Sequence, residues 1–342
     1  MIGEIVTKEM VTRVFSKIPL PILASLTRAA MVIPYYHVVS DEAVVHVKHL
    51  YKYKTISQFR NDLDCLLRYY APIGLFDILA HIKAGRQFPE KSFLLTFDDG
   101  FREMSDIVAP ILLEKGLSAT FFVNSAFVDN RDMCYLNKAS VLVQQFQQNW
   151  SSRLEQDLSE ILRCNHIRFD NVSSGILSIK YQQRSLLDQI ATLVRVDFSE
   201  YLKIKEPYLT TSQINKMVES GFSIGAHSVD HPLYSSLSLE EQISQTLRSV
   251  KFVRERFKLN CGVFAFPHND DGVSREFFLR ISESGLVDLS FGTSGLIDEN
   301  IPNHFQRFSL ENPIDKARNI IAFQYARRMA KIIKMSHSNI RS

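Results

Sequence analysis

Cysteine is scarce in this chain of 342 residues. Cys65, Cys134, Cys164 and Cys261 are widely separated and form no C-x-x-C pair, which excludes a disulfide framework and suits a reducing compartment. Long apolar runs are missing too. The stretch from Ile18 to Tyr36 is apolar only in patches, holding Pro19, Pro21, Pro34 and Arg28, so it is a poor signal peptide and a poor membrane span. No low-complexity tract and no solenoid-period repeat occurs. An excess of one charge is also lacking: the formal net charge is +3, too small to argue for nucleic acid as a partner. A cytoplasmic protein is the expectation.

What is present is core-forming material. Hydrophobic residues make up 45% of the chain, enough for one large core or two modest ones. One α/β domain with an insertion and tails fits this length better than two equal domains. The basic character is local. Pro313 to Ser342 holds seven Lys or Arg against one Asp, which leaves the first 312 residues near −3.

Strand-like and helix-like segments alternate. Met31–Val39 reads as a buried strand, with Pro34 against a central position. Ser57–Tyr70 and Phe76–Ile82 read as helices, Phe93–Phe97 as a strand, and Ala119–Val123 as the next. The rhythm then stops: residues 129–205 are polar, helical in pattern and without a clear strand. It resumes with helix Thr211–Ser220, strand Phe222–Ala226, helix Leu239–Phe257, strand Val263–Phe266, helix Ser274–Ser284 and strand Leu289–Phe291, and Phe305–Leu310 is a candidate last strand. Repeated strand–helix units imply a parallel sheet. The expected fold is α/β, a distorted seven-stranded (β/α) barrel. Residues 1–30 form an N-terminal segment, 31–312 the barrel, 129–205 its helical insertion and 313–342 a basic helical tail.

Three strands run into polar clusters, and in parallel α/β folds chemistry gathers at strand C-terminal ends. Phe93–Phe97 ends in Asp98-Asp99, Phe222–Ala226 in His227-Ser228-Val229-Asp230-His231-Pro232, and Val263–Phe266 in Pro267-His268-Asn269-Asp270-Asp271. A spacing of four predicts that His227 and His231 share one side of a helical turn, close enough to share a cation. Two imidazoles and one carboxylate leave a coordination position open, as in a catalytic zinc-type site. Adjacent carboxylates do not readily both ionise unless a cation or proton separates them. One on a metal and one free to take a proton from water is a consistent division.

The segment Ser92-Phe93-Leu94-Leu95-Thr96-Phe97-Asp98-Asp99-Gly100, followed by Ala119-Thr120-Phe121-Phe122-Val123, resembles the first motif of the polysaccharide deacetylases, the NodB-homology family. His227-Ser228-x-x-His231-Pro232 is similar to their second motif. Phe264-Ala265-Phe266-Pro267 and Gly285 through Thr293 resemble the third motif and the strand after it, and Arg307 stands where many members carry an arginine. The resemblance implies that Asp99, His227 and His231 hold a divalent cation, zinc first, with nickel, cobalt or manganese also suited. It makes Asp98 the general base and puts Pro267, His268 and Arg307 on the substrate or oxyanion side. The sequence departs from the pattern in two ways. His268-Asn269 replace the usual aromatic and glycine, and the late Leu-x-His motif that supplies the acid is missing. Tyr36-His37 resembles a Tyr-His found early in one branch of the family, which makes His37 the preferred acid. His46, His49, His81, His166, His304 and His337 have no motif context and are expected at the surface.

The implied substrate is an N-acetylated glycan or a lipid-linked sugar; an O-acetyl glycan ester and a non-catalytic carbohydrate-binding role are the competing readings. The insertion is expected at the catalytic rim, as a lid or as scaffold. In the tail, Ile320, Ile321, Phe323, Met329, Ile332 and Ile333 interleave with Arg327, Arg328, Lys331 and Lys334. Such a helix either packs on its own domain or makes peripheral contact with an anionic membrane.

Overall fold

The computed structural model describes residues 11–29 and 31–339, with side chains through residue 333. Eleven short strands are all paired in parallel: β1 (Met31–Val32), β2 (Pro34–Tyr36), β3 (Ala71–Pro72), β4 (Ser92–Phe93), β5 (Thr96–Phe97), β6 (Thr120–Val123), β7 (Ser223–Ala226), β8 (Val263–Ala265), β9 (Leu289–Gly292), β10 (His304–Gln306) and β11 (Phe308–Ser309). The main sheet runs β10-β9-β8-β7-β6-β5-β2-β11, and a small sheet β1-β4-β3 lies below it. β10 and β11 are consecutive pieces of one extended segment that changes partner at Arg307. The Arg307 N–H donates to Gly292 O at 3.2 Å, and the Phe308 N–H to Ile33 O at 3.1 Å. Counting 304–309 once, the ring has seven strand positions, and this segment joins its two ends. The fold is a distorted (β/α) barrel.

Period-two alternation sorts the strand residues to two sides. Phe97, Phe121, Ile224, Phe264 and Phe266 pack with the surrounding helices. Their neighbours Ile33, Leu94, Phe122, Val263, Ala265, Leu289 and Phe291 form a separate cluster within the ring. Gly225 is small because Phe122 fills its side; a Cβ there would lie 2.5 Å from that ring. Pro34 sits on a strand that is paired on both sides, with β5 and β11. It is the first residue of β2, just past a break in pairing at Ile33, where a strand tolerates a missing donor.

The helices Tyr135–Gln148, Ser152–Cys164, Val172–Leu177, Leu186–Val194 and Phe198–Lys205 interrupt the alternation between β6 and β7. They bury a second apolar cluster, including Leu142, Phe146, Leu158, Leu162, Ile176, Leu187 and Ile190, which extends onto Val38, Val47 and Phe101 of the barrel side. The tail helix Ala317–Asn339 packs along helix Leu20–Thr27. Ile321, Ala322, Tyr325 and Ala326 are buried, and Arg328 forks onto Asp298 at 2.9 and 2.7 Å. Its apolar face is therefore largely consumed by its own domain, leaving Ile332 and Ile333 exposed. The side chains of Lys334 and His337, and all of Arg341, lie outside the described residues. No helix among the described residues is long and apolar enough to cross a membrane.

Candidate active site

Asp98 and Asp99 follow β5 directly, and backbone geometry separates their side chains. Asp99 and Gly100 have φ of 69° and 65°, so the chain turns sharply after Asp98. Gly100 is required there: besides its left-handed φ, a Cβ would meet Val123 at 2.9 Å. Asp98 is 2% exposed and gripped by Arg307, with Nη1–Oδ1 at 2.7 Å and Nη2–Oδ2 at 2.8 Å. Burial alone would raise its carboxyl. The Arg307 guanidinium, with His227 and His37, outweighs this and holds it below the ordinary carboxylate value.

Arg307 was expected on the substrate side, but it does not reach the cleft. It is fully buried, donates also to Thr96 Oγ1 and Gly292 O, and lies between the rings of Tyr35 and Phe122. A guanidinium buried at the seam of a barrel needs a carboxylate partner, and Asp98 is the one in reach.

The two histidines after β7 are not on a helix, contrary to the expectation from their spacing. Residues 227–233 form a loop with left-handed φ at Ser228 (67°) and His231 (64°). Ser228 Oγ accepts from the His231 N–H at 3.0 Å and closes the turn, so both rings still face one side. His227 Nε2 and His231 Nε2 lie 3.4 and 3.2 Å from Asp99 Oδ1. The ligand atoms of these three residues are all within 4.8 Å of one another. His227 Nδ1 is within hydrogen-bonding range of Ala265 O at 2.9 Å, which presents Nε2 to Asp99. Asp99 Oδ1 is buried and has no hydrogen-bond partner. Burial would lift the Asp99 carboxyl, but the His231 and His227 imidazoles keep it well below its ordinary value. One carboxylate oxygen and two imidazole nitrogens converging without a competing donor is a set that suits a divalent cation.

His37 follows β2, facing the same cleft. Its Nδ1 is 2.6 Å from Glu311 Oε2, while Glu311 Oε1 accepts from the N–H groups of His37 and Val38 at 2.7 and 2.9 Å. Burial pushes the imidazole down, but Glu311 reverses this and raises it to about 9. Glu311 carried no sequence signal: it is adjacent to His37 only because 304–309 pairs with β2. His268, at φ 59°, stands exposed at the rim with its ring 4.7 Å from that of His231, whereas Pro267 is buried beneath it. Asp270 ties this loop to the closing strand through His304 Nε2 (3.0 Å) and Gln306 Nε2 (2.6 Å). His304 is thus buried rather than at the surface. So is His46, which packs on Phe101 with Nδ1 near Tyr201.

Asp98, Asp99, His37, His231 and His268 line one cleft of about 470 Å³, with Tyr35, Tyr51 and Phe266. Cys134, Leu136, Asn137 and Leu177 add a wall from the stretch between β6 and β7. His227 lies beneath, 1% exposed.

Among the solved structures that share this architecture are two that cover most of this chain. The Streptococcus pyogenes deacetylase PplD, in complex with acetate, superposes with a TM-score of 0.54 at 14% identity, covering 86% of this chain and 97% of its own. IcaB from Ammonifex degensii gives 0.54 at 15% identity, covering 87% and 97%. These likenesses are of fold. No curated protein matches the sequence. A family model, that of polysaccharide deacetylase, matches residues 85–277, more than half of the chain and the part that supplies Asp98, Asp99, His227, His231 and His268. The chain belongs to the polysaccharide deacetylase family.

Proposed function

We propose that the protein is a metal-dependent hydrolase that removes N-acetyl groups from sugar units of a polysaccharide, or of an oligosaccharide or lipid-linked precursor. The observation that carries this reading is the junction of three features in one cleft. Asp99, His227 and His231 converge on one point. An arginine-clamped carboxylate, Asp98, is the residue before Asp99. A carboxylate-paired imidazole, His37, lines the same cleft.

Asp99, His227 and His231 would hold the cation, with zinc first and nickel, cobalt or manganese also compatible with one oxygen and two nitrogens. Such an ion supplies Lewis acidity toward the acetyl carbonyl and makes water more acidic. Asp98 removes a proton from the attacking water; its clamp on Arg307 keeps it ionised and oriented. His37, held through Nδ1 by Glu311, presents Nε2 to the cleft. Protonated near neutral pH, it gives that proton to the amide nitrogen as the C–N bond breaks, so the sugar leaves as an amine and acetate remains. An O-acetyl ester would use the same groups, and its better leaving group would depend less on His37.

The test is metal analysis of the purified protein. It is followed by acetate release from N-acetylglucosamine oligomers and from acetylated xylan, with and without chelator. Chelator-sensitive release from the amide substrates is expected. Release from xylan alone would favour the esterase reading, and release that ignores the chelator would overturn the metal assignment. We further propose a cytoplasmic location with at most peripheral membrane contact through the tail, which flotation with anionic liposomes, with and without Pro313–Ser342, would test.

A further inference from the structure

Three buried polar atoms around the cleft have no hydrogen-bond partner: Asp99 Oδ1, His231 Nδ1 and the Tyr51 hydroxyl. The first belongs to the cation position. The second is the far nitrogen of a ring in that same set. The third belongs to a residue to which the chemistry above gives no role. Tyr51 stands between helix Val45–Lys48 and helix Ile56–Tyr69, its ring 5.1 Å from that of His37, lining the cleft beside Asp98 and Asp99.

Other buried tyrosines pair their hydroxyls within the protein. Tyr36 donates to Asp62 at 3.1 Å, and Tyr208 to Asn137 at 2.6 Å. Tyr234 pairs with Thr246 at 2.8 Å and Tyr70 with Tyr325 at 3.1 Å. A phenol removed from water without a partner destabilises the fold, and Tyr usually finds one when buried. An unpaired hydroxyl on a residue that lines the same cleft as His37, Asp98 and Asp99 is therefore free for a bound molecule. Burial, with the charges of Asp99 and Glu311, pushes the Tyr51 phenol well above its ordinary value, so it is a donor and not an anion.

We propose that Tyr51 is a further catalytic residue, whose hydroxyl donates a hydrogen bond to the acyl oxygen as the carbonyl carbon becomes tetrahedral. No covalent bond to Tyr51 forms and its proton stays in place. The inference rests on the deacetylase reading.

The experiment compares wild type, Tyr51→Phe and Asp98→Asn as full-length, zinc-loaded proteins, measuring acetate release from N-acetylglucosamine oligomers. It adds the melting temperature of each protein without metal. Tyr51→Phe should lower kcat by about 100-fold, the scale for one oxyanion donor, with KM changed by less than about twofold. Its melting temperature should rise by about 1–3 °C, because an unpaired buried hydroxyl is gone. A fall in melting temperature would assign the hydroxyl a structural role and overturn the proposal. So would an unchanged kcat, or a loss confined to KM. If wild type turns over, Asp98→Asn does not and Tyr51→Phe matches wild type, only the Tyr51 inference fails. If wild type releases no acetate, the deacetylase reading fails and this inference falls with it.

Discussion

The barrel's catalytic rim and its helical insertion are built on opposite terms. In the insertion, three of the five helices carry side-chain caps at their starts. Ser151 caps its helix through the Leu154 N–H at 3.2 Å, Asn171 forms a capping box with Ser174, and Asp197 accepts from Ser199 and Glu200. Its apolar faces meet in a second core that the barrel side joins through Val38, Val44, Val47 and Phe101. At the rim, buried polar atoms are left unsatisfied. Left-handed φ without glycine occurs in both regions, at Asp99, Ser228, His231 and His268 here and at Asp129, Asn130, His166 and Arg195 there, but among the described residues of the two it is the rim that buries polar atoms without a partner: Asp99 Oδ1, His231 Nδ1 and the Tyr51 hydroxyl. Strain and unsatisfied groups persist only where surrounding structure enforces them, and they gather where a ligand is to bind. The rim gives up stability for geometry; the insertion helps to hold the wall that keeps that geometry shielded.

Substitutions should therefore separate the two regions cleanly. Asp99→Asn, a change that keeps a residue tolerant of left-handed φ, should have the largest effect. Bound zinc should fall from about one equivalent per chain toward zero, measured by atomic absorption after dialysis, and activity should fall to background. Retained stoichiometric zinc would break the proposed ligand set.

Asp98→Asn comes next. It should lower kcat by about 1000-fold while zinc stays bound. Turnover at the wild-type rate would remove Asp98 as the base.

Glu311→Gln should reduce kcat at pH 8 by about tenfold and move the alkaline limb of the rate profile from near 9 to lower pH. The sign follows from the raised imidazole. His37 is protonated, and able to act as an acid, below about pH 9, and loses that proton as the pH rises through it. The same linkage acts on folding. The His37–Glu311 pair contributes stability that is complete below the ordinary histidine value of 6.5 and lost as pH rises through about 9. A rate profile unchanged in Glu311→Gln would separate His37 from the acid role.

Ser151→Ala gives the smallest effect and probes the insertion. Loss of the cap should cost about 1 kcal/mol, visible as about 2–4 °C in the melting temperature, with kcat unaltered. A change in kcat would mean that the insertion is coupled to the rim more tightly than a wall.

Much of the barrel was legible because its signals are local. Asp98-Asp99-Gly100 and His227-x3-His231 each follow a β-rich apolar run, and the parallel fold brings the ends of such runs together. The helix Leu239–Phe257 was read at its observed bounds, and in the structure Ser238 and Glu241 form a capping box at its start. The geometry of the histidine pair was misread. Spacing alone suggested a helical turn, whereas Ser228 and His231 in left-handed φ, with the Ser228 hydroxyl bond, build a loop that meets the same requirement. Arg307 was misplaced for a related reason. A strand residue's neighbours across the sheet are not written in its own segment, so its pairing with Asp98 was invisible.

By itself, the sequence determined which side chains could do chemistry, which segments alternate between strand and helix, and that a helical block interrupts them. These follow from residue type and short-range periodicity. Only the tertiary structure decided that one segment pairs with both β9 and β2, because ring closure depends on hydrogen bonds between strands some 270 residues apart in the chain. That closure brings Glu311 to His37 and Arg307 to Asp98, while the fold sets the Tyr51 hydroxyl beside them without a partner.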